Sequence, residues 1–483
     1  MMKTRLSPIV LSMCLLCSPT YSNAKDLALP DIGDSRAAVM TPEQARRIGE
    51  AVVHKLRREG MVVDDPVVTG YLNQLGYKLL AQRDNPGQTT FTFFLVNDSS
   101  INAFALPGGF IGINYGLIKA TDTEGELASV LAHEIAHVLQ RHFSRSYEMN
   151  KHSSLPILAA ILAAIVLGAK GNADVGQAAI ATAAGATAQH HINFTRHNEE
   201  EADRVGIHLL AKAGFDPEMM AELFEKLQRQ ARLSGTNIPP FLLTHPVNSE
   251  RITDAKNRAA QLPRPKPHDE LTYYLMRNRI FAESASDKQA SANKFRLELQ
   301  QAQGEKDIAV RYGYTLSLIR LGEYKAALKQ VDQLLKAHPM RIVFLLAKAN
   351  IYAKSGQIPS ALAIYRHALD YYPDNSALTY GYADALIQGG KNAQAENVLN
   401  NFLKQKRNNP DFYRLLARAS MQTGNKAASH EALAEYYYQI GQLHQAIDQI
   451  KIALKIKHLD FYTTNRLEAQ LALIKEEVPK EDK

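Results

Sequence analysis

The carboxy-terminal half of the chain carries a sequence repeat of 34 residues. Four glycines, three alanines and two prolines recur in phase at this interval: Gly322, Gly356, Gly390 and Gly424; Ala327, Ala361 and Ala395; Pro339 and Pro373. A repeat of this length predicts a pair of helices that stacks on the next pair. Glycine supplies the turn between paired helices, alanine lets them approach closely, and proline ends the second helix. We therefore expect a helical solenoid in this half of the chain.

The limits of the repeats also follow from the sequence. A period of 34 residues is that of the tetratricopeptide repeat, and a half-length step to Gly441 indicates one further helix pair. Residues 268–304 are predicted to form atypical capping helices. Proline alternates with charge over 263–267, which suits neither helix nor strand, so we expect a linker there. The all-α repeat domain is thus predicted over 268–483.

Upstream of the linker the sequence predicts helices and a small sheet. Thr41 is an N-cap residue, Pro42 stands at the first helical position, and Gln44 completes a capping box. Two apolar stretches rich in aromatic and β-branched residues predict strands of one sheet. The predicted helices begin near Thr41, Pro66 and Thr121, and the predicted strands cover 91–96 and 110–113. The fold class is therefore α+β and mostly helical.

The first 24 residues have the features of a secretory signal peptide. Lys3 and Arg5 precede an apolar run, and Ala24 ends a small-residue cleavage site. We expect export and cleavage after Ala24. Both cysteines of the chain, Cys14 and Cys17, lie in this segment, so the mature chain has neither a disulfide nor a thiolate ligand. Any metal must be held by histidine and carboxylate.

The charge pattern argues against a nucleic-acid-binding protein. The 483 residues carry a formal net charge of +7, but no long Lys/Arg cluster with interleaved aromatic residues is present. Hydrophobic residues make up 46% of the chain, which is typical of a folded globular protein. We expect no nucleic-acid partner.

Residues 155–188 contain two uncharged, alanine-rich apolar stretches. Each stretch is shorter than the ~18 to 20 residues that span a bilayer. One interpretation is a buried helical hairpin. The other is a segment that makes peripheral contact with a membrane surface. The sequence leaves both open.

The sharpest local motif is His133-Glu134-Ile135-Ala136-His137, in the middle of a predicted helix. Two histidines at i and i+4 lie on one helical face, so both imidazoles can reach one ion. Glu134 is turned slightly aside, where it can contact a water without binding the metal. The alternative is an amphipathic helix with exposed histidines, and the motif alone does not decide between the two.

A catalytic zinc site needs a third protein ligand from elsewhere. Glu199 and Asp203, again at i and i+4, lie near the start of a later helix and would face the same partner. Glu199 could bind the metal while Asp203 orients a metal-binding imidazole. Glu200 and Glu201 are expected to point into solvent. The alternative is that these acidic residues only complement the helix dipole.

Several motifs in this order resemble the gluzincin-type zinc metallopeptidases of the CAAX prenyl protease and HtpX group. They are Asn-Ala-Phe-Ala-Leu-Pro-Gly-Gly at 102–109, the motif at 133–137, Glu199-x-x-Ala202-Asp203, and Thr244-His245-Pro246 with Arg251. The resemblance covers nearly the whole mature chain, including the repeats. It implies a zincin-like metallopeptidase domain with a small sheet over 25–262, followed by the tetratricopeptide-repeat solenoid.

The resemblance also implies roles for individual residues. One zinc ion per chain is expected on His133, His137 and Glu199, with Asp203 behind the ligands. Glu134 is expected to act as general base, taking a proton from the attacking water and passing it to the leaving amine.

Two further elements are implied beside the metal. Arg251 resembles an arginine that stabilises the tetrahedral oxyanion, and the alternative is a surface ion pair with Glu250. An edge strand is expected to bind substrate in extended form, which suits unfolded polypeptides. The residues predicted for this edge strand are Phe110, Ile111, Gly112 and Ile113.

His245 is similar to a histidine that, in periplasmic members of the group, occupies the open coordination position of zinc and keeps the enzyme latent. A fourth nitrogen ligand would exclude the water that attacks the substrate. One alternative is that the His245-Pro246 pair only forms a turn. Another is that His245 donates a hydrogen bond to the transition state.

The function implied by the resemblance is a periplasmic zinc metalloendopeptidase with chaperone-like activity. Its expected role is the quality control and assembly of outer-membrane β-barrel proteins. The implied partners are the barrel-assembly machinery and immature barrel proteins, including the lipopolysaccharide-transport barrel. A rival hypothesis is that the chain is mainly a chaperone or scaffold in outer-membrane assembly, with proteolysis secondary. The complete zinc ligand set favours the enzyme.

Overall fold

The computed structural model describes residues 40–83, 89–149, 188–233, 238–265, 269–406 and 409–478. The predicted signal peptide lies outside these residues, and so does nearly all of the apolar segment 155–188. Within the described part of the chain, no helix is both long and apolar enough to cross a bilayer.

The region before residue 263 contains helices around a four-stranded sheet. Its strands are β1 (Val62–Val63), β2 (Thr92–Val96), β3 (Ala103–Leu106) and β4 (Phe110–Asn114). Its helices are α1 (Pro42–Arg58), α2 (Pro66–Leu80), α3 (Tyr115–Ala120), α4 (Glu124–Leu139), α5 (His142–Met149), α6 (Ala188–Lys212), α7 (Met219–Leu233), α8 (Pro240–Thr244) and α9 (Ser249–Ala259). The capping box predicted for α1 is confirmed, because the Thr41 hydroxyl accepts from the Gln44 amide and the Gln44 side chain accepts from the Thr41 amide.

The sheet has the strand order β1-β2-β4-β3. β4 pairs in parallel with β2 on one side and antiparallel with β3 on the other. The prediction that Phe110, Ile111, Gly112 and Ile113 form a substrate-binding edge was therefore wrong, because both sides of that strand already have partners. The end strand next to β4 is β3, which the sequence did not reveal because its Ala-Phe-Ala-Leu run has no β-branched residue.

Helix α4 lies at the centre of this region. It packs against β3, α2, α6 and α7, and its residues from Gly125 to Ala136 are buried. The hydroxyl of Thr123 accepts a hydrogen bond from the Glu126 amide at 3.1 Å and fixes the start of the helix. Because α4 is surrounded by other elements, polar residues in its middle are held in the protein interior.

Paired helices follow from residue 271 to the end of the described chain. They are α10 (Leu271–Glu283), α11 (Lys288–Glu298), α12 (Glu305–Leu321), α13 (Tyr324–Ala337), α14 (Ile342–Lys354), α15 (Ile358–Tyr371), α16 (Ser376–Gln388), α17 (Asn392–Leu403), α18 (Pro410–Gln422), α19 (Lys426–Gln439), α20 (Leu443–Leu454) and α21 (Phe461–Glu477). The predicted roles of the repeated residues are confirmed. The four repeat glycines have φ between 72° and 83°, and the three repeat alanines are fully buried.

The first helices after the proline-rich segment pack directly onto the region before it. Tyr273 of α10 is fully buried, and its hydroxyl donates a hydrogen bond to the Thr121 carbonyl at 2.7 Å. Arg279 of α10 pairs with Asp65, the N-cap of α2, at 2.7 Å. One hydrophobic core therefore continues from the sheet region into the first repeats.

The turn between α19 and α20 contacts α1. A guanidinium nitrogen of Arg58 donates a hydrogen bond to the Gly441 carbonyl at 2.8 Å. The His54 ring lies edge-on to Tyr438, with 6.3 Å between the ring centroids. The solenoid is thus attached to the preceding region near both of its ends.

Replacing Gly441 by alanine tests the contact between α19 and α1. Gly441 has φ 71°, and a Cβ there would lie 2.4 Å from the Cβ of His54. We expect about 1–2 kcal/mol of backbone strain and faster amide hydrogen exchange throughout α1. Gly424→Ala is a matched control, because Gly424 has φ 83° but open space around it. Equal exchange in α1 of the two variants would show that this contact is not a stable one.

Candidate metal centre

Helix α4 carries the residues of the His133–His137 motif, and the first two are in the interior. His133 and Glu134 are each 1% exposed. The Nε2 atoms of His133 and His137 lie 3.0 Å apart, as the i, i+4 spacing implied. The alternative of a helix that exposes both histidines does not fit this burial.

Helix α6 brings Glu199 and Asp203 against the two histidines. Gly206 permits the close approach of α6, since a Cβ there would lie 3.2 Å from the backbone nitrogen of His133. The two Glu199 carboxylate oxygens lie 3.4 Å from the Nε2 atoms of His133 and His137, one oxygen on each ring. The histidine pair on α4 thus faces the Glu199 and Asp203 pair on α6.

His245 completes the cluster from the C-terminal end of α8. Its Nδ1 lies 3.1 Å from both Glu199 carboxylate oxygens and 3.4 Å from His133 Nε2. The cluster has four possible ligands, and their ligand atoms all lie within 4.8 Å of one another. The four residues are His133, His137, Glu199 and His245.

The donor set fits a divalent metal ion. Donors at 2.0–2.1 Å from a tetrahedral zinc ion lie about 3.3 Å apart, close to the 3.0–3.4 Å separations between the cluster's neighbouring atoms. Three carboxylates are buried here, on Glu134, Glu199 and Asp203, against one buried guanidinium on Arg251. Their formal charges leave an excess of two negative charges, which a divalent cation would balance.

Asp203 and Arg251 stand behind the cluster. Asp203 Oδ1 lies 3.0 Å from His133 Nδ1, on the side of the ring away from the cluster. Arg251 donates to Asp203 through Nε at 2.7 Å and through Nη2 at 2.8 Å, and its Nη1 lies 3.0 Å from Glu199. Nη1 also donates to the Pro246 carbonyl at 2.7 Å. Arg251 is 4% exposed, so the surface ion pair considered for it does not fit.

The pKa shifts describe a site that attracts positive charge. Burial disfavours the charged imidazole of His133, yet Asp203 and Glu199 raise its pKa to about 10. Burial and the neighbouring His133 hold the pKa of His137 well below its ordinary value. Although burial opposes ionisation, contacts with His245 and His133 hold the pKa of Glu199 well below normal. The acidic side chains thus favour positive charge at His133, where a metal ion would bind.

Two residues near the cluster were not expected there from the sequence. His142 is 4% exposed, and its Nδ1 lies 2.8 Å from His137 Nδ1. The prediction that Glu201 points into solvent was wrong, since its carboxylate lies 3.2 Å from His142 Nε2 and 2.6 Å from Arg145. Burial is the main cause that lowers the pKa of His142, to about 4. The sequence does show a histidine and an arginine, His142 and Arg145, shortly after the motif. It does not show how the chain turns between α4 and α5.

Comparisons with known proteins agree with this architecture. Residues 66–259 match the model of peptidase family M48, and residues 352–419 match a tetratricopeptide-repeat model. The β-barrel assembly-enhancing protease of Escherichia coli K12 is 34% identical over 436 residues, which cover 90% of this chain and 88% of that protein. The protein of the same name from Yersinia pestis is 33% identical over 91% of each chain.

A more distant relative matches about a third of the chain. The mitochondrial metalloendopeptidase OMA1 of Arabidopsis thaliana is 32% identical over 157 residues, 32% of this chain and 29% of that protein. The likeness to the bacterial proteins, in contrast, extends through both the M48 region and the repeats. The chain belongs to the β-barrel assembly-enhancing protease family of M48 metallopeptidases with tetratricopeptide repeats.

Proposed function

We propose that this chain is a zinc metalloendopeptidase whose zinc ion is held by His133, His137 and Glu199. One observation carries the proposal: two imidazole nitrogens and one carboxylate oxygen converge at separations that fit a zinc ion, beside Glu134. When bound, zinc polarises the scissile carbonyl and lowers the pKa of water toward ~7. Nitrogen and carboxylate donors without thiolate suit a catalytic rather than a purely structural zinc site.

Glu134 is proposed as the general base. Its Oε1 is buried and has no hydrogen bond among the described residues, so it is available to accept a proton. In the reaction Glu134 takes a proton from the attacking water and returns it to the leaving amine. Its place between the two histidines on α4 keeps it beside the ligands without making it one of them.

Asp203 and Arg251 are proposed to position the ligands. The Asp203 carboxylate lies 3.0 Å from His133 Nδ1 and favours a proton on that nitrogen, which would leave Nε2 to bind metal. Arg251 holds Asp203 with two donors and Glu199 with a third. An oxyanion role for Arg251, the first expectation, would require its Nη1 group to leave Glu199 or the Pro246 carbonyl.

Substrate binding is proposed for β3 rather than β4. The outer side of β3 has no strand partner among the described residues, and β3 packs against α4, which carries His133 and Glu134. An extended polypeptide can pair with such an edge through its main chain, whatever its sequence. This favours unfolded or stalled chains as substrates.

The biological setting is proposed from the family. The curated relatives are named for enhancing β-barrel assembly, and we infer a periplasmic role in the quality control of outer-membrane barrel proteins. A signal peptide cleaved after Ala24, a peptidase domain over 25–262 and a repeat domain over 268–483 fit this role. The repeats would dock the barrel-assembly machinery and act as a scaffold beside the peptidase.

We expect the purified chain to bind about one zinc ion. His133→Ala combined with His137→Ala removes two of the three proposed ligands and should abolish binding. His208→Ala, which changes an exposed histidine on α6, should leave zinc content unchanged. Elemental analysis of the three proteins decides the matter, and full zinc occupancy in the double variant would reject the assignment.

Glu134→Gln keeps the size of the side chain but cannot take up a proton. We expect unchanged zinc content and a peptidase rate roughly 100- to 10,000-fold lower, the usual contribution of such a base. Glu200→Gln is a matched control, because Glu200 is exposed. Digestion of unfolded casein measures the rates. A zinc-loaded Glu134→Gln protein that cleaves at the parental rate would require another base.

His245 is proposed to close the fourth coordination position and to keep the peptidase latent. His245→Ala should then raise the rate of casein digestion and of self-cleavage at unchanged zinc content, because water gains access to the site. The double variant His245→Ala, Glu134→Gln should be inactive, which ties the gained activity to the same site. A lower rate in His245→Ala would instead support a transition-state hydrogen bond from His245.

A further inference from the structure

We propose that His142, held by Glu201, positions the metal ligand His137 and presets its protonation. The inference rests on the proposed metal site and concerns residues that bind no metal themselves. Of the two motif histidines, His137 has the more exposed side chain, at 14% against 1% for His133. His142 would hold this more exposed ligand in place.

The hydrogen-bond chain fixes which nitrogens carry protons. A carboxylate can only accept, so the 3.2 Å contact with Glu201 requires a proton on His142 Nε2. A neutral imidazole has one N–H, and His142 Nδ1 is therefore an acceptor. It lies 2.8 Å from His137 Nδ1, which must donate to it. His137 Nε2 is then left with a lone pair that faces Glu199 and His133.

The Glu201 carboxylate, at the start of this series of hydrogen bonds, is itself held in place. Arg145 donates to the same Glu201 oxygen at 2.6 Å, and its Nη2 also lies 3.2 Å from Asn198 Oδ1. Two helices therefore contribute to the support: Arg145 and His142 come from α5, and Glu201 and Asn198 come from α6.

Both histidines of the motif receive equivalent support. His133 reaches a carboxylate–arginine pair directly, through Asp203 and Arg251. His137 reaches the pair of Glu201 and Arg145 through His142. Metal-binding histidines generally donate their second ring proton to such a partner, and its loss typically weakens metal binding by 10- to 100-fold.

The backbone between His137 and His142 allows their rings to meet. Helix α4 ends at Leu139, and Arg141 adopts φ 52°, a left-handed conformation that is unfavourable for a residue other than glycine. Arg141 thus separates the two helices, and α5 begins at His142. The two imidazole planes meet at 82° with 4.7 Å between centroids, so that nitrogen faces nitrogen.

The test is the zinc affinity of purified protein, measured by competition with a chromophoric chelator. His142→Ala should bind zinc 10- to 100-fold more weakly than the parent. His142→Asn should restore much of the affinity, because its Oδ1 stands at the position of the imidazole Nδ1 and can accept from His137. His208→Ala should bind as the parent does. Thermal unfolding of the metal-free proteins checks that each variant is folded.

Two results would overturn the inference. One is a folded His142→Ala protein with parental zinc affinity. The other is an equal loss in His142→Ala and His142→Asn, since a role in packing alone gives no rescue by an acceptor. If His142→Ala does not fold, Glu201→Gln replaces it, and unchanged affinity in that variant would equally reject the chain of hydrogen bonds. A parent protein that binds no zinc would instead reject the proposed metal site.

Discussion

The contact between α4 and α6 is the constraint on which the rest of the site depends. Burying an unpaired carboxylate costs several kcal/mol, so the acidic residues of α6 can pack here only with partners in place. Asp203 has Arg251, Glu201 has Arg145, and Glu199 has Arg251 with the surrounding imidazoles. The partners come from α4, α5, α8 and α9, so satisfying the charges of one helix fixes the positions of four others.

Part of this arrangement was readable from the sequence because local geometry determines it. The i, i+4 spacing was enough to place His133 beside His137, and the 34-residue glycine period was enough to predict tight turns between paired helices. Helix-capping residues predicted the start of α1 in the same way. In each case the signal and its structural consequence lie within a few residues of each other.

The sequence failed where a residue's role depends on packing between distant elements. Glu201 looked like a solvated first-turn residue, and only the approach of α5 gives it His142 and Arg145. The strand at 110–113 was expected to be an edge from the family resemblance, and the short, alanine-containing β3 carries too little strand signal to correct that expectation. The left-handed conformation of Arg141 was also not predictable, because arginine has no preference for it. Turn direction and sheet order were the missing information.

The four converging side chains differ in how firmly they are held, and this difference bears on how the site can open. His133, His137 and Glu199 each have a partner behind them at 2.8–3.0 Å: Asp203, His142 and Arg251. The other ring nitrogen of His245 lies 3.5 Å from Glu134, beyond a normal hydrogen bond. His245 also follows a helix of only five residues, joined to the strand region by the hydrogen bond from the Phe241 amide to the Ile101 carbonyl. If one donor must withdraw for water to enter, His245 is the donor whose departure breaks the fewest supporting contacts.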